Sequence, residues 1–225
     1  MTKKLIALFI AIASVSFAAI GAANEGTLTV GYREKDITFG RLSSRQGAYT
    51  ADAGFKWESF RLNAVMQNNV SLADSGLYQA DLIGGYSFFS TLANVEVGTK
   101  YVTKFKADPK DKMNHWRPFV SVGKGWVTIT GTADLESQTT NIEAKVAKVT
   151  PLFLGIKSVT GVYAGYTDVN DALPRTLKEI KYTNAYYGGS FDLKWKIATV
   201  GIYVLRDGIK KEWTAGWRTA ATFKF

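Results

Sequence analysis

The 225-residue chain has no cysteine, one histidine and four prolines. Without cysteine it can build neither a disulfide framework nor a thiolate metal site. The single histidine, His115, leaves no paired-histidine zinc motif, and no glycine-rich phosphate loop or nucleophile elbow occurs. Beyond residue 23 no apolar run is long enough to cross a membrane as a helix. No metal and no cofactor are therefore expected, and an enzyme is not. His115 stands at a loop–strand junction beside Asn114 and Trp116 and reads as a surface histidine.

Glycine (21 residues) and aromatic side chains (13%) are plentiful. Glycine weakens helix interiors, so this mixture favours many strands. The formal charge is +9, and losing Lys3 and Lys4 with a leader would bring it to +7. Such an excess suits nucleic acid, anionic headgroups or anionic solutes. The lysines are scattered over alternating positions and loops, so nucleic acid is not expected as a partner.

Lys3 and Lys4 precede an apolar stretch from Leu5 to about Phe17, which ends in Gly21-Ala22-Ala23. This is the pattern of a Sec signal peptide over residues 1–23, cut after Ala23, with 24–225 as a single domain. Ser14 and Ser16 interrupt the run and no basic stop-transfer cluster follows it, which argues against an uncleaved anchor.

The remainder alternates with the two-residue period of strands. Tyr49 to Trp57 and Phe60 to Met66 carry apolar residues at every second position and are joined by Glu58-Ser59, a hairpin pattern. Tyr78 to Phe88 leads through Ser90-Thr91 into Val95 to Phe105, and Thr183 to Trp195 turns at Lys196 into Ile197 to Leu205. Trp116 to Ile129 reads as one strand whose phase is broken at Lys124, with a bulge at Gly123-Lys124-Gly125 as one solution. Residues 131–149 fit both a capped amphipathic helix, Thr140 with Glu143, and an extra hairpin. The longer links, 33–47, 70–76, 106–115, 168–177 and 206–212, are polar and alternate with the short turns.

The last strand runs to the chain end. Trp213, Ala215, Trp217, Thr219, Ala221, Phe223 and Phe225 share one parity, and Thr214, Gly216, Arg218, Ala220, Thr222 and Lys224 share the other. An apolar alternation ending on a C-terminal Phe resembles the closing strand of bacterial outer-membrane β-barrel proteins, the porin-like superfamily. The resemblance covers the strand pattern of the whole mature chain. It implies an all-β, transmembrane, antiparallel up-and-down barrel in the bacterial outer membrane, with lipid as its surroundings. It also implies that the barrel assembly machinery reads Trp217, Phe223 and Phe225 as an assembly signal. The strand count comes to ten, with eight or twelve as alternatives.

A soluble barrel shares this period with the opposite polarity. The membrane form is favoured because large aromatics gather near strand ends: Trp57, Phe60, Phe88, Trp195 and Phe225 by the short turns, Trp213 by the long loops. These read as two interfacial girdles. The other parity brings Arg61, Asp81, Glu96, Lys100, Asp192, Lys194 and Arg218 towards the lumen, as a charged network or a pore lining. Ten strands leave little room beyond their side chains, which favours a structural or interaction barrel with a largely filled lumen. The alternative is a narrow passive channel with mild anion preference.

Overall fold

A computed structural model describes residues 25–34, 36–38, 41–44, 47–69, 78–105, 113–171 and 180–225. The expected signal peptide and much of the long polar links lie outside them. Fourteen strands are present among the described residues: β1 (Glu25–Arg33), β2 (Asp36–Thr38), β3 (Arg41–Ser44), β4 (Ala48–Trp57), β5 (Phe60–Asn69), β6 (Tyr78–Phe89) and β7 (Asn94–Phe105). They continue with β8 (Met113–Lys124), β9 (Val127–Asp134), β10 (Thr139–Pro151), β11 (Ile156–Asp171), β12 (Ile180–Trp195), β13 (Ala198–Asp207) and β14 (Trp213–Lys224).

β2 and β3 form a separate small hairpin within the link from β1 to β4. The other twelve strands close into one barrel, each antiparallel to the next in chain order, with β14 returning to β1. The count of ten is thus corrected to twelve. Twelve was one of the alternatives, and one misread segment and one left open between helix and hairpin account for the difference. Gly125 and Trp126 form a two-residue turn between β8 and β9, with Lys124 opposite Val127, where one continuous strand was expected, with either a bulge or Lys124 on the apolar face. Residues 139–151 are strand β10, joined to β9 by the four residues 135–138, so the helix alternative is excluded.

Closure leaves no unpaired sheet edge around most of the circumference, which satisfies the backbone in a bilayer. The seam is made by Phe225 and Gly26, whose amides donate to each other's carbonyls at 3.1 and 2.9 Å. One rim, the turn end, carries this seam and the short turns, and the other, the loop end, carries the longer links. In the three two-residue turns the first residue has a positive φ: Glu58 (46°), Gly125 (60°) and Lys196 (50°). That backbone region is cheap only for glycine. Glu58→Gly is therefore expected to raise the unfolding free energy by roughly 0.5–1 kcal/mol. Urea unfolding of refolded protein would show it as a higher midpoint, and a lower one would contradict the argument.

Polarity is inside-out relative to a soluble domain. Among the described residues ten polar or charged side chains are buried against seven apolar ones, while Leu82, Val120, Ile129, Ile142, Val162 and Ile202 are exposed. The exposed apolar residues sit at alternate positions of successive strands and form a continuous outer face. Soluble proteins rarely expose so large an apolar surface. A lipid-facing wall requires it.

Candidate functional site

Outside the barrel, aromatic side chains collect at both rims. Towards the turn end, the Trp57 ring lies 5.7 Å from Phe60 and the Tyr86 ring 4.8 Å from Phe88, centroid to centroid. Towards the loop end, Tyr32 lies 5.2 Å from Tyr49 and 5.0 Å from Trp217, and Trp213 meets Tyr187 edge-on at 5.5 Å. Trp195, Phe223 and Phe225 are exposed on the same outer face near the turn end.

Inside, charges meet in pairs, two of them between non-adjacent strands across recessed glycines and one between neighbouring strands. Arg218 of β14 reaches Asp192 of β12 in a two-point contact, Nε to Oδ1 at 2.9 Å and Nη2 to Oδ2 at 2.6 Å. Gly201 of β13 lies between them in register, and a Cβ there would fall 1.8 Å from Asp192 Oδ1. Arg61 of β5 bonds Glu96 of β7 across Gly85 of β6, and its guanidinium carbon stands 6.0 Å from the Phe119 ring of β8. Lys100 Nζ is 2.6 Å from Asp81 Oδ2, and Gln79 also donates to Asp81 at 2.9 Å. Six of the seven residues expected in the lumen are thus brought together as three pairs. Lys194 is exposed, with no carboxylate partner among the described residues.

The sequence reading missed a buried polar cluster towards the loop end. Asp134, closing β9, accepts from Arg117 Nε at 2.7 Å and from the Ser137 amide at 3.1 Å, and lies 3.1 Å from His115 Nδ1. His115 therefore faces inward, which corrects its reading as a surface histidine. Beside this set the Thr167 hydroxyl donates to Asn141 Oδ1 at 2.7 Å, and the Tyr186 hydroxyl lies 2.9 Å from Glu143 Oε2. Asn184 accepts the amides of Gly208 and Ile209 at 3.1 and 3.2 Å, which pins the β13–β14 link inward. Its Nδ2 is a buried donor with no partner among the described residues. These side chains come from β8 to β12, and the β8–β9 part of the set was hidden because the turn at Gly125-Trp126 was read as the interior of one strand.

His115, Asp134 and Glu136 bring one ligand atom each within 4.8 Å of one another. Asp134 already neutralises Arg117, and Glu136 accepts the Trp116 amide at 2.5 Å, so binding a cation would mean breaking both contacts. A histidine oriented by an aspartate is also part of a hydrolytic triad, which needs a hydroxyl on the other ring nitrogen. Among the described residues none bonds it.

No protein-family model matches the sequence, and no curated protein matches it. Known structures do. A KdgM porin superposes with a TM-score of 0.57 at 10% identity over 89% of this chain and 99% of the porin. The fold is that of the outer-membrane β-barrels. The KdgM porin in complex with disordered oligogalacturonate gives 0.58 at 11% identity over the same shares. LpxR from Salmonella typhimurium gives 0.55 at 9% identity over 88% of this chain and 99% of its own. At these identities the likeness extends to the barrel fold, and the job done inside the barrel has to be argued from this chain's own lumen.

Proposed function

We propose that this barrel is a narrow passive channel of the bacterial outer membrane with a preference for anions. One observation carries the reading. Lys56, Lys145, Lys157 and Lys194 lie on the inward parity, are exposed, and have no carboxylate partner among the described residues. Lys56, Lys157 and Lys194 stand at the turn-end mouth, and the exposure of Lys145, at the middle of β10, carries the water-accessible wall deeper into the barrel. The expectation of a filled lumen rested on ten strands. Barrel diameter grows with strand number, and eight strands already accommodate a side-chain filling, so twelve leave space that their side chains need not occupy. The near-complete coverage of a porin of similar size, recorded with the polyanionic sugar oligogalacturonate, supports the same reading.

A closed interaction barrel is the second reading, favoured by the buried polar cluster around Asp134, Asn141 and Asn184. Planar-bilayer recording of refolded protein separates the two. Under a roughly tenfold KCl gradient, discrete steps are expected whose reversal potential is displaced towards that of chloride. Charge reversal belongs on the unpaired lysines, because reversing Lys100 or Arg218 would set two carboxylates face to face. Lys157→Glu with Lys194→Glu should carry the reversal potential towards potassium. A silent bilayer, with insertion verified by heat-modifiable gel migration, would overturn the channel.

A further inference from the structure

We infer that the inner wall at the turn end holds a binding site for a soluble multivalent anion, built on Lys157 and Lys194, with Lys145 deeper along the same wall. The inference deepens the channel reading and takes its direction from it. Lys157 of β11 and Lys194 of β12 stand directly opposite in register. Such cross-strand side chains have Cβ atoms about 4.5–5.5 Å apart, and like charges placed there repel. The remedy elsewhere in this lumen is a carboxylate. Among the described residues the inward carboxylates of β10 and β12 are engaged: Asp192 of β12 holds Arg218 at two points, and Glu143 of β10 lies 2.9 Å from the Tyr186 hydroxyl.

The third lysine approaches from β10. The Cε of Lys145 lies 3.8 Å from where a Cβ on Gly161 would be, so its chain reaches β11 at a residue with no side chain, deeper in the barrel than Lys157 on the same inward parity. Ser190 Oγ lies 3.3 Å from the same point, placing a hydroxyl on the same stretch of wall. Thr199 of β13 is in register with Lys194 and adds a second hydroxyl-bearing residue. Two facing ammonium groups with Thr199 beside them, and a third lysine with Ser190 deeper on the wall, suit an extended solute with two or more phosphate or carboxylate groups. One chloride would leave the repulsion partly unrelieved.

The source of the anion follows from the direction the lysines face. On β12 Lys194 shares its parity with buried Asp192, whereas Leu193 and Trp195 are exposed on the lipid face. Lipid headgroups surround the outer face at this rim, where Lys148 lies 5.1 Å from the Trp126 ring and Lys196 5.1 Å from the Trp195 ring. A soluble anion reaches the inner wall through the mouth at the turn end, which is the periplasmic mouth if the barrel follows the usual orientation.

The test is calorimetric titration of inorganic tripolyphosphate into the full refolded barrel in zwitterionic detergent at low salt. One saturable event per barrel is expected. The Lys157→Gln/Lys194→Gln variant should weaken it at least tenfold, and Lys148→Gln, on the outer face, should leave it unchanged. Absence of a saturable event, or equal binding by the double variant with its heat-modifiable migration intact, would overturn the site. Detergent doped with phosphatidylglycerol should not change the affinity, and competition by that lipid would overturn the lumen assignment. In conducting bilayers, tripolyphosphate added at the turn end should block chloride current at lower concentration than from the loop end. Binding without conductance would refute the channel alone, and conductance without binding the site alone.

Discussion

Refolded Asp134→Ala barrels are expected to unfold about 3–5 kcal/mol more easily than the wild type, the range for removing one partner of a buried ion pair. The two side chains are 1% and 9% exposed, so water screens neither. The carboxylate meets Arg117 Nε at 2.7 Å, His115 Nδ1 at 3.1 Å and the Ser137 amide at 3.1 Å. Alanine loses all three at once and also releases the 135–138 link between β9 and β10. Asp134→Asn keeps one acceptor oxygen and should fall between. The double variant Arg117→Met/Asp134→Leu removes both charges and should recover much of the loss, since apolar pairs often replace buried ion pairs at little net cost. Recovery should be incomplete, because Arg117 makes a further contact. Urea midpoints in the same lipid or detergent measure the series. A double variant no more stable than Asp134→Ala would place the loss in general packing, outside the ion pair.

The parts of the fold that could be read from sequence were those where one wall faces lipid and the other faces charge. In β14 every second residue is apolar or Thr from Trp213 to Phe225, and Arg218 falls on the opposite parity. A midplane Arg facing lipid would cost roughly 2–4 kcal/mol, so the register of such a strand is strongly constrained. What misled was the place where alternation stops carrying information. Gly125-Trp126 is a turn, yet Trp126 continues the parity of Val120 and Val122, so the apolar series ran straight through the reversal. Residues 139–151 alternate weakly, with Ala144 and Ala147 on opposite parities, and their link to β9 is short on the side where the other links are long. The missed turn hid one strand, and the weak alternation of 139–151 hid the other.

Cross-barrel partners were legible only as candidates. Spacing along one chain cannot place Arg61 near Glu96 or Arg218 near Asp192, because each pair depends on registers with an intervening strand. The glycines between them are the usable sign. A long charged side chain can cross a strand only where that strand lacks a Cβ, and Gly85 and Gly201 provide such crossings. An inward glycine flanked on both sides by strands with opposite charges is therefore a readable pattern once the register is known. His115 was misjudged for the same reason, since its partner lies on a strand whose start was hidden in the missed turn.

Deleting Phe225 is expected to lower the yield of assembled protein in the membrane severalfold while costing barrels that do fold only about 1–3 kcal/mol. The small second effect follows from what the residue touches. Its backbone makes two hydrogen bonds to Gly26, each worth about 0.5–1.5 kcal/mol net. Its ring lies over Gly26, where a Cβ would come within 2.3 Å of Cε2, and is still half exposed to the surroundings. Seven further residue pairs, Thr27 with Lys224 through Arg33 with Arg218, hold the same seam without it. The large first effect is what the resemblance of the terminus to the signal of outer-membrane barrels implies: we propose that the barrel assembly machinery reads this aromatic end. Phe225→Tyr should preserve both quantities, and Phe225→Ala should resemble the deletion in yield while keeping the hydrogen bonds. Heat-modifiable migration of membrane fractions measures the yield, and urea unfolding of the refolded protein measures the stability. If yield and stability fell in proportion across the three variants, the terminal aromatic would be acting through the seam alone, and the recognition argument would fail.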